Sequence, residues 1–561
     1  MKRRIRTAVI GFASGAIAGI VLVFIFGHPR AGILLGVMIG VAYAFGVERI
    51  PLAYVDALMA AGSLGIPLWG LVSVVAFPLL AGQRPEWNAE QMRSHLPALV
   101  AWILFCALLG ALNKAFSDLA ERLLGRVTPL AFEKDQKRIV ILGGGFAGMK
   151  TAQCLERELQ TNSSASITLV SETNALLFTP MLAEVAGSTL EPSHISTPLR
   201  SSLHRTEFIR GRVTGIDFEN RKVILAGLPA DGGECAEISY DHLVLALGAV
   251  SNYLGMSNVE KLAFNFKSLL DAIRIRNHVI EMFERADREQ DSTVRQALLT
   301  FVIAGGGFAG VELAGALNDF ARGILADYPR LSAGELNIVL VHARDRILPE
   351  LNESLARYAQ EKMEERGVKF RLDVRLADAQ AGRVLLSDGE ISAHTLVWTA
   401  GTAPNPLLRS LALETDKRGA VKVDSTLAVP GRPGVWALGD CASITDAKTG
   451  KPCPPTAQFA IREAATAARN IARALSGRKA TRFHFNSLGS LCVVGHQTAC
   501  AELSVPFFRG KSIRFSGLLA WLMWRGIYVA KLPGVERKIR VLMDWAIELF
   551  FPRDIVQTID L

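Results

Sequence analysis

The hexapeptide Gly-Gly-Gly-Phe-Ala-Gly occurs twice in this 561-residue sequence, at residues 143–148 and 305–310. Each copy follows a short β-branched strand and precedes a helical stretch and a second strand, SITLV at 166–170 and LNIVLV at 336–341. In such a turn the first glycine makes the bend, the second admits a pyrophosphate, and the third permits close helix–strand packing. The order predicts an α/β chain with two Rossmann-like dinucleotide-binding domains. The glycines concerned are Gly143, Gly145, Gly148, Gly305, Gly307 and Gly310.

Two dinucleotide sites in one chain most economically serve a tightly bound flavin and a diffusing nicotinamide dinucleotide. In the first copy the second strand ends at Glu172, where an acid is expected to bind ribose hydroxyls. Two further strands end in Gly248 and in Gly439-Asp440, and the carboxylate of Asp440 is expected to bind ribityl hydroxyls. A helix predicted from Ala457 would turn its N-terminus toward the flavin and stabilise negative charge there.

Four apolar stretches precede the first hexapeptide, at residues 7–27, 31–47, 57–83 and 96–113. Each is long enough to span a bilayer, which takes about 17–25 apolar residues. A cleaved signal peptide is the alternative for the first stretch, but the second follows it at once. Basic residues before the first stretch place the N-terminus in the cytoplasm, and an even number of spans returns the chain to that side. The sequence therefore predicts a transmembrane helical domain followed by cytoplasmic domains.

Glycines recur at every fourth position in the first two apolar stretches. This spacing puts them on one helix face and lets two backbones approach closely in lipid. Packing within the hairpin is the favoured interpretation, and a homodimer contact is the alternative. The glycines are Gly11, Gly15, Gly19, Gly32, Gly36 and Gly40.

Eight segments together carry a family resemblance. They are RIVILGGGFAG (138–148), LLFTPMLAEVAG (176–187), YDHLVLALGA (240–249), FVIAGGGFAGVELAG (301–315), TLVWTAGTAPNPLL (395–408), GVWALGDCA (434–442), PPTAQFAIRE (454–463) and LLAWLMWRG (518–526). With them, about three quarters of the chain resembles the type II NADH dehydrogenases, single-subunit NADH:quinone oxidoreductases of the pyridine nucleotide-disulphide oxidoreductase superfamily. The N-terminal apolar unit is not part of the ordinary family pattern.

The resemblance implies FAD at the first hexapeptide and NADH at the second. It places Phe146 and Ala147 beside the flavin and gives Gly401 a cofactor-binding role. It implies that Glu312 lies at the nicotinamide–flavin contact, as a catalytic residue. It also implies that Ala457 and the second catalytic candidate, Gln458, flank the quinone pocket. The family usually has a second glutamine four residues further on, where this sequence has Arg462.

The implied reaction passes a hydride from NADH to FAD and two electrons on to a membrane quinone. Residues 155–234 contain no cysteine, which argues against a redox-active cysteine pair beside the flavin. No chain of acids crosses the apolar stretches, so no proton pumping is expected. The expected location is a bacterial-type inner (cytoplasmic) membrane, and no metal site is predicted. Alternatives are an NADPH-using or specialised naphthoquinone reductase of the same fold, and a redox-sensing membrane flavoprotein.

The C-terminal region is basic and aromatic. Residues 505–553 carry nine Lys and Arg against three acids. Val535, Ile539, Leu542, Ala546 and Leu549 share one helical face, which predicts an amphipathic helix lying in a membrane surface. A plain core-packed helix is the alternative. Binding to nucleic acid is disfavoured, because the positive charge lies beside tryptophans and membrane spans.

The second strand of the second copy ends in His342, where NAD-selective folds place an acid. His342 with Arg344 nearby could accept the 2′-phosphate of NADPH. The alternative is that Asp345 or another loop residue binds the ribose hydroxyls in place of that acid. We therefore predict measurable NADPH oxidation, with less than about tenfold discrimination between NADPH and NADH.

The predicted division of the chain has six segments. They are a four-span transmembrane domain (1–113), a linker (114–137), the first part of the FAD-binding domain (138–260), an NAD(P)H-binding domain (261–400), the second part of the FAD-binding domain (401–505) and a C-terminal membrane-anchoring region (506–561).

Overall fold

The computed structural model describes residues 2–26, 29–47, 54–80, 82, 96–123, 136–159, 165–226, 236–504 and 512–557. The chain divides into two compact units, residues 1–131 with 534–536 and residues 132–533 with 537–561. Several parts of the predicted division lie outside the described residues, among them 48–53 and 83–95 in the transmembrane domain, 124–135 in the linker, 227–235 in the first part of the FAD-binding domain and 506–511 at the start of the C-terminal region.

Helices make up nearly all of the described residues of the first unit. Its helices are Lys2–Phe26, Pro29–Val47, Tyr54–Ser63, Gly65–Leu68, the π-helix Trp69–Ala76, Phe77–Leu80 and Leu96–Leu123. Four segments are long and apolar enough to cross a membrane: Arg6–Val23, Pro29–Gly46, Ala57–Leu79 and Pro97–Ala120. The four predicted stretches are therefore confirmed as candidate spans. The last helix continues to Leu123, so the first ten residues of the predicted linker are helical.

The two rows of glycines face each other across the first helical hairpin. A Cβ on Gly15 would lie 2.4 Å from the carbonyl oxygen of Gly36, and one on Gly40 would lie 2.5 Å from that of Gly11. The two helix backbones are therefore in direct contact, as glycine rows allow in lipid. Because the rows are used within the hairpin, a homodimer contact would need another surface.

Gly15→Val should separate the first two helices, because its side chain would meet the Gly36 carbonyl. Gly46→Val is the matched control, since a Cβ there meets no described atom within 4 Å. Cys106 lies in the core of the same unit and is 2% exposed. We expect thiol labelling of Cys106, followed by mass spectrometry in detergent, to accelerate for Gly15→Val and to stay unchanged for Gly46→Val. Equal labelling of the two variants would contradict the packing.

The third span is not a continuous α-helix. Its first helix ends at Ser63, and a new one begins at Gly65, where a Cβ would lie 2.7 Å from the Cα of Ile103. The following π-helix carries Ser73, whose hydroxyl accepts a 2.8 Å hydrogen bond from the indole N–H of Trp102. The break therefore coincides with a close approach to the last helix of the unit.

Two five-stranded parallel sheets organise the second unit. The first has the order Val435–Ala437, His242–Leu245, Lys137–Leu142, Ala165–Ser171, Thr206–Arg210, and the second has the order Phe264–Asn265, Thr395–Trp398, Thr300–Ala304, Asn337–Val341, Val368–Arg371. Each sheet is accompanied by an antiparallel three-stranded sheet. These comprise Val213–Asp217, Lys222–Leu225 and Ala236–Ser239 in the first domain and Leu376–Gln380, Arg383–Leu386 and Gly389–Ser392 in the second. The two predicted Rossmann-like domains are confirmed.

The first domain is discontinuous in sequence. Its edge strand Val435–Ala437 pairs in parallel with His242–Leu245. The late helix Ala457–Leu475 packs on Phe146–Glu158, the helix that begins within the first hexapeptide and is called the first fingerprint helix below. The antiparallel pair Ala249–Ser251 and Thr402–Pro404 links the two domains. The second domain is therefore an insertion, and it contains the helices Leu269–Arg288, Ser292–Leu298, Glu353–Glu365 and the second fingerprint helix, Phe308–Ile324.

The C-terminal region consists of the antiparallel strands Gly489–Gly495, Thr498–Ser504 and Ser512–Gly517, then the helices Leu518–Lys531 and Val535–Glu548. Trp524, Val541 and Trp545 are buried in the same core as the helices of the second domain. The last helix is thus core-packed on one face. On another face Leu542, Ala546 and Leu549 are exposed, so the apolar face seen in the sequence does not face this core.

Candidate functional site

The first hexapeptide forms a turn, called the first fingerprint turn below, whose first and last positions fit only glycine. Gly143 has φ +107°, and its N–H donates to the carbonyl of Val170 at 2.8 Å. A Cβ on Gly143 would lie 2.2 Å from the Ala246 carbonyl oxygen, and one on Gly148 would lie 1.8 Å from that of Gly143. The first and third glycines therefore let the turn close onto the strand and the helix, as G-x-G-x-x-G predicts.

The middle glycine faces open space. Gly145 is the N-cap of the first fingerprint helix, and no described side chain caps it. A Cβ on Gly145 would meet no described atom within 4 Å. The first N–H groups of the helix are thus directed at an open cradle, which suits the pyrophosphate of a dinucleotide. The residues present fit a dinucleotide cofactor such as FAD at this position.

The next two predicted residues pack behind that cradle. The ring of Phe146 packs edge-on against Phe178, with centroids 5.7 Å apart. Ala147 is buried, and its methyl would lie 3.1 Å from a Cβ on Gly439. Phe146 and Ala147 therefore offer their backbone, rather than exposed side chains, to a ligand at the turn.

Two adjacent residues at the end of the second strand have different environments. Ser171 is buried, and its Oγ would lie 2.7 Å from a Cβ on Gly144. Glu172, the residue singled out by the sequence, is exposed, with its carboxylate 3.5 Å from Nε of Arg212. Ser171 thus lies directly beneath the turn, a place that sequence reasoning missed.

Gly248 and Gly401 lie at the link between the domains. Gly248 has φ +66°, and its carbonyl accepts from the N–H of Asn405. The carbonyl of Gly401 accepts from the N–H of Asn252, and a Cβ on Gly401 would lie 2.9 Å from the Asn252 carbonyl oxygen. The two glycines therefore flank the strand pair that joins the first domain to the second.

A buried carboxyl group on the late helix bonds to the backbone at Gly439, beside Asp440. Gly439 has φ +72°, and its N–H donates to Oε2 of Glu463 at 2.8 Å. Glu463 lies on the late helix and is 3% exposed, and burial raises its pKa to about 7. Burial also raises the pKa of the half-buried Asp440, while Lys267 opposes that shift. The role of Glu463 was not predicted from the sequence, because its partner Gly439 lies 24 residues away.

The late helix begins at Ala457, as predicted, and Gln458 is tied to the C-terminal sheet. Its Nε2 donates to Oγ of Ser487 and to the carbonyl of Gly489, both at 3.2 Å. Its Oε1 accepts from the N–H of Leu488 at 3.1 Å. The amide of Gln458 therefore fixes the start of the strand Gly489–Gly495.

The second fingerprint turn repeats the first. Gly305 has φ +123°, and its N–H donates to the Val341 carbonyl at 2.9 Å. A Cβ on Gly310 would lie 1.9 Å from the Gly305 carbonyl oxygen. Gly307 is the N-cap of the second fingerprint helix, again with no cap from a side chain in the described part of the chain. His342 lies beneath this turn, and its Nδ1 accepts from the N–H of Gly306 at 3.0 Å.

Glu312 lies on the second fingerprint helix and lines a cavity of about 40 Å³. The N–H of Val493 donates to its carboxyl at 3.4 Å. Burial raises the pKa of Glu312 to about 8, and the nearby Glu184 adds to the shift. Burial likewise raises the pKa of Glu184 to about 7, although Arg525 opposes the shift. Glu312 and Gln458 thus contact the same C-terminal strand, at residues 493 and 489.

A buried polar network lines the same cavity. The guanidinium of Arg525 lies between the rings of Trp521 and Trp545, 3.8 and 4.4 Å from their centroids. It donates to Glu548 at 2.9 Å, while the indole N–H of Trp545 donates to Glu184 at 3.1 Å. The two C-terminal helices are therefore bonded to each other through Arg525 and Glu548, and the second of them is bonded to Glu184 in the cavity lining.

Comparisons with known proteins agree with this geometry. A family model described as pyridine nucleotide-disulphide oxidoreductase matches residues 137–464, and one described as NDH2 C-terminal domain matches residues 487–554. Type II NADH:quinone oxidoreductase Ndh of Mycobacterium tuberculosis is 30% identical over 441 residues, which cover 76% of this chain and 90% of that protein. A probable NADH dehydrogenase of Dictyostelium discoideum is 32% identical over 428 residues, which cover 75% of this chain and 91% of that protein.

Among solved structures, NDH2 from Plasmodium falciparum in complex with NADH superposes with a TM-score of 0.68 at 18% identity. The superposition covers 75% of this chain and 100% of that one. At this identity the likeness concerns the fold, whereas the family models and the sequence relatives identify the family. The chain belongs to the type II NADH:quinone oxidoreductases.

Proposed function

We propose that this protein oxidises NADH with FAD as its resident cofactor and reduces a membrane quinone, without pumping protons. The observation that carries the proposal is the pair of equivalent fingerprint turns. Each presents a helix N-terminus that no described side chain caps, and the two turns lie in linked domains that share one C-terminal region. When bound, the flavin supplies a two-electron carrier between hydride donor and quinone.

We assign the first turn to FAD. The backbone of Gly143, Gly145 and Gly148 with the helix N–H groups would bind the pyrophosphate, aided by the backbone of Phe146 and Ala147. Ser171 and Glu172, at the end of the second strand, would bind the ribose, and Asp440 would bind the ribityl chain, held in place by the bond from Gly439 to Glu463. Gly248 and Gly401, at the link between domains, would allow the backbone to approach the ring system.

We assign the second turn, Gly305-x-Gly307-x-x-Gly310, to the nicotinamide dinucleotide, with His342 at its ribose. Glu312 would hold a proton on its carboxyl at neutral pH, because burial raises its pKa to about 8. Ala457 and Gln458 would flank the quinone. The amide of Gln458 is bonded to residues 487–489, so we expect it to act by positioning that segment.

We further propose a bacterial-type inner membrane location, with the catalytic domains on the cytoplasmic side. The four candidate spans support membrane insertion, and the basic residues before the first span support the orientation. The exposed apolar side chains near the C-terminus support a second lipid contact, made by residues 506–561. They include Leu542, Met543, Ile547, Leu549, Phe550 and Phe551.

The enzyme function is tested by turnover of the purified full-length protein. We expect FAD on extraction of the bound flavin, and NADH-driven reduction of a short-chain quinone at tens per second or more, as is usual for enzymes. Parallel assays with ubiquinone and naphthoquinone analogues identify a specialised naphthoquinone reductase. Reduction of artificial dyes without any quinone reduction would exclude the proposal, and turnover far below one per second would favour a redox sensor.

The C-terminal lipid contact predicts a selective defect. The double variant Phe550→Glu/Phe551→Glu puts two charges where we propose contact with lipid, and a charged side chain is unfavourable in apolar lipid. In proteoliposomes the rate with a long-chain quinone should fall several-fold relative to the rate with a water-soluble dye. Val294→Glu, at an exposed apolar residue of the second domain, is the control. An unchanged ratio of the quinone rate to the dye rate in the double variant would contradict the proposed C-terminal contact with lipid.

A further inference from the structure

His342 follows the second strand of the second domain and lies beneath the second fingerprint turn. The strand residue before it, Val341, pairs with Ala304, as Val170 pairs with Leu142 in the first domain. The N–H of each first glycine donates to the carbonyl of the residue so paired, Val341 or Val170. His342 therefore has the same place under its turn as Ser171 has in the first domain. At this strand end NAD-selective folds use an acid that accepts a hydrogen bond from the ribose 2′-hydroxyl.

The imidazole of His342 is held in one orientation by the turn. The N–H of Gly306 donates to its Nδ1 at 3.0 Å, and a Cβ on Gly306 would lie 2.7 Å from its Cγ. Because Nδ1 accepts, the neutral ring carries its hydrogen on Nε2. Burial, with help from Arg344, lowers the pKa of His342, so the ring is neutral at pH 7.

The other ring nitrogen, Nε2, carries a hydrogen-bond donor that no described residue accepts. Nε2 is buried and has no hydrogen-bond partner among the described residues. A carboxylate here would accept from a hydroxyl and repel a phosphate, whereas an N–H donates to either kind of oxygen. Arg344 is exposed two residues further on and adds a positive charge. The exposed acids Asp345, Glu350 and Asp373 lie near His342 and are the described groups that could oppose a phosphate.

We propose that the second fingerprint binds NADPH and NADH with less than tenfold discrimination, because His342 donates from Nε2 to the 2′-phosphate of one or the 2′-hydroxyl of the other. The inference rests on the proposed assignment of this turn to the nicotinamide dinucleotide. It makes His342 the residue that sets specificity.

The test measures binding without turnover. Dissociation constants of ADP-ribose and 2′-phospho-ADP-ribose for the FAD-loaded full-length protein are compared by isothermal titration calorimetry. A ratio below tenfold in either direction supports the proposal, and a preference of tenfold or more for either ligand overturns it. If neither ligand binds at millimolar concentration, the assignment of this turn falls as well, which distinguishes failure of the proposed function from failure of this inference.

Variants then identify the residue responsible. His342→Glu should shift the ratio toward ADP-ribose by about 10²-fold, because juxtaposed like charges cost several kcal/mol. His342→Gln, which retains an N–H donor, is the matched control and should keep the ratio within about threefold of the unmodified protein. Asp345→Asn should also leave the ratio unchanged. A rise of tenfold or more in 2′-phospho-ADP-ribose affinity for Asp345→Asn would show that Asp345 does the acid's task, and would overturn the role of His342.

Discussion

Gly148→Ala should yield a folded protein that has lost most of its FAD, whereas Gly310→Ala should keep its FAD and lose NADH binding. A Cβ at either position would lie within 2 Å of the carbonyl oxygen of the first glycine in its own turn. Such overpacking typically costs about 1–3 kcal/mol. Because the obstructing atom is backbone, the turn itself must open, and with it the phosphate cradle. We expect flavin retention or NADH affinity to fall at least tenfold in the respective variant.

Flavin content by absorbance and NADH affinity by titration distinguish the two effects. Gly323→Ala is the control, because it lies on the second fingerprint helix at a position where a Cβ meets no described atom within 4 Å. It should retain both ligands. Loss of FAD from Gly310→Ala to the same degree as from Gly148→Ala would mean that the two turns do not serve separate dinucleotides.

Glu312→Gln should slow quinone-linked turnover by about 10²-fold, the usual contribution of a positioned acid or base, while FAD stays bound. Burial raises the pKa of Glu312 from 4.5 to about 8. Between pH 4.5 and about pH 8, therefore, the carboxyl group is protonated in the native protein and ionised in the unfolded chain. Its contribution to stability is therefore complete below about pH 4.5 and is lost as pH rises through 8. Quinone reduction by the unmodified protein should decline over the same upper range, and the glutamine variant should lack that step.

Glu184→Gln is the matched control in the same cavity. The charge of Glu184 contributes to the raised pKa of Glu312, so its removal should move the step in the pH profile to lower pH. Turnover on the acidic side of that step should be little changed. A glutamine variant of Glu312 that keeps both full turnover and the step would remove Glu312 from the site.

The glycine turns could be predicted from sequence because their causes are local. Gly143, Gly148 and the strand before them lie within a dozen residues, so the pattern contains nearly everything that determines the turn. The same holds for the hairpin that contains Gly15 and Gly36. In each of its helices the glycines recur at every fourth residue, and this spacing alone puts them on one helix face. The interruption of the third span at Gly65 was missed, because it depends on the approach of Ile103 from a different helix.

The polar interior could not be predicted, because its partners are far apart in the chain. Trp545 and Glu184 are separated by 361 residues, and only the assembled fold brings them within 3.1 Å. The bonds of Gln458 to residues 487–489 likewise require the C-terminal sheet to be in place. A sequence shows that such residues are present but not which of them will be desolvated together.

The insertion of the second domain into the first sets an order of events during synthesis. Domains generally fold as units as the chain emerges, N-terminal ones first. Here the first fingerprint turn leaves the ribosome early, but the edge strand Val435–Ala437 and the carboxyl of Glu463 that holds Gly439 emerge only after the whole inserted domain. The inserted domain can therefore fold its parallel sheet while its host is still incomplete. A nascent chain stalled before residue 435 would present one finished Rossmann sheet and one lacking its last strand.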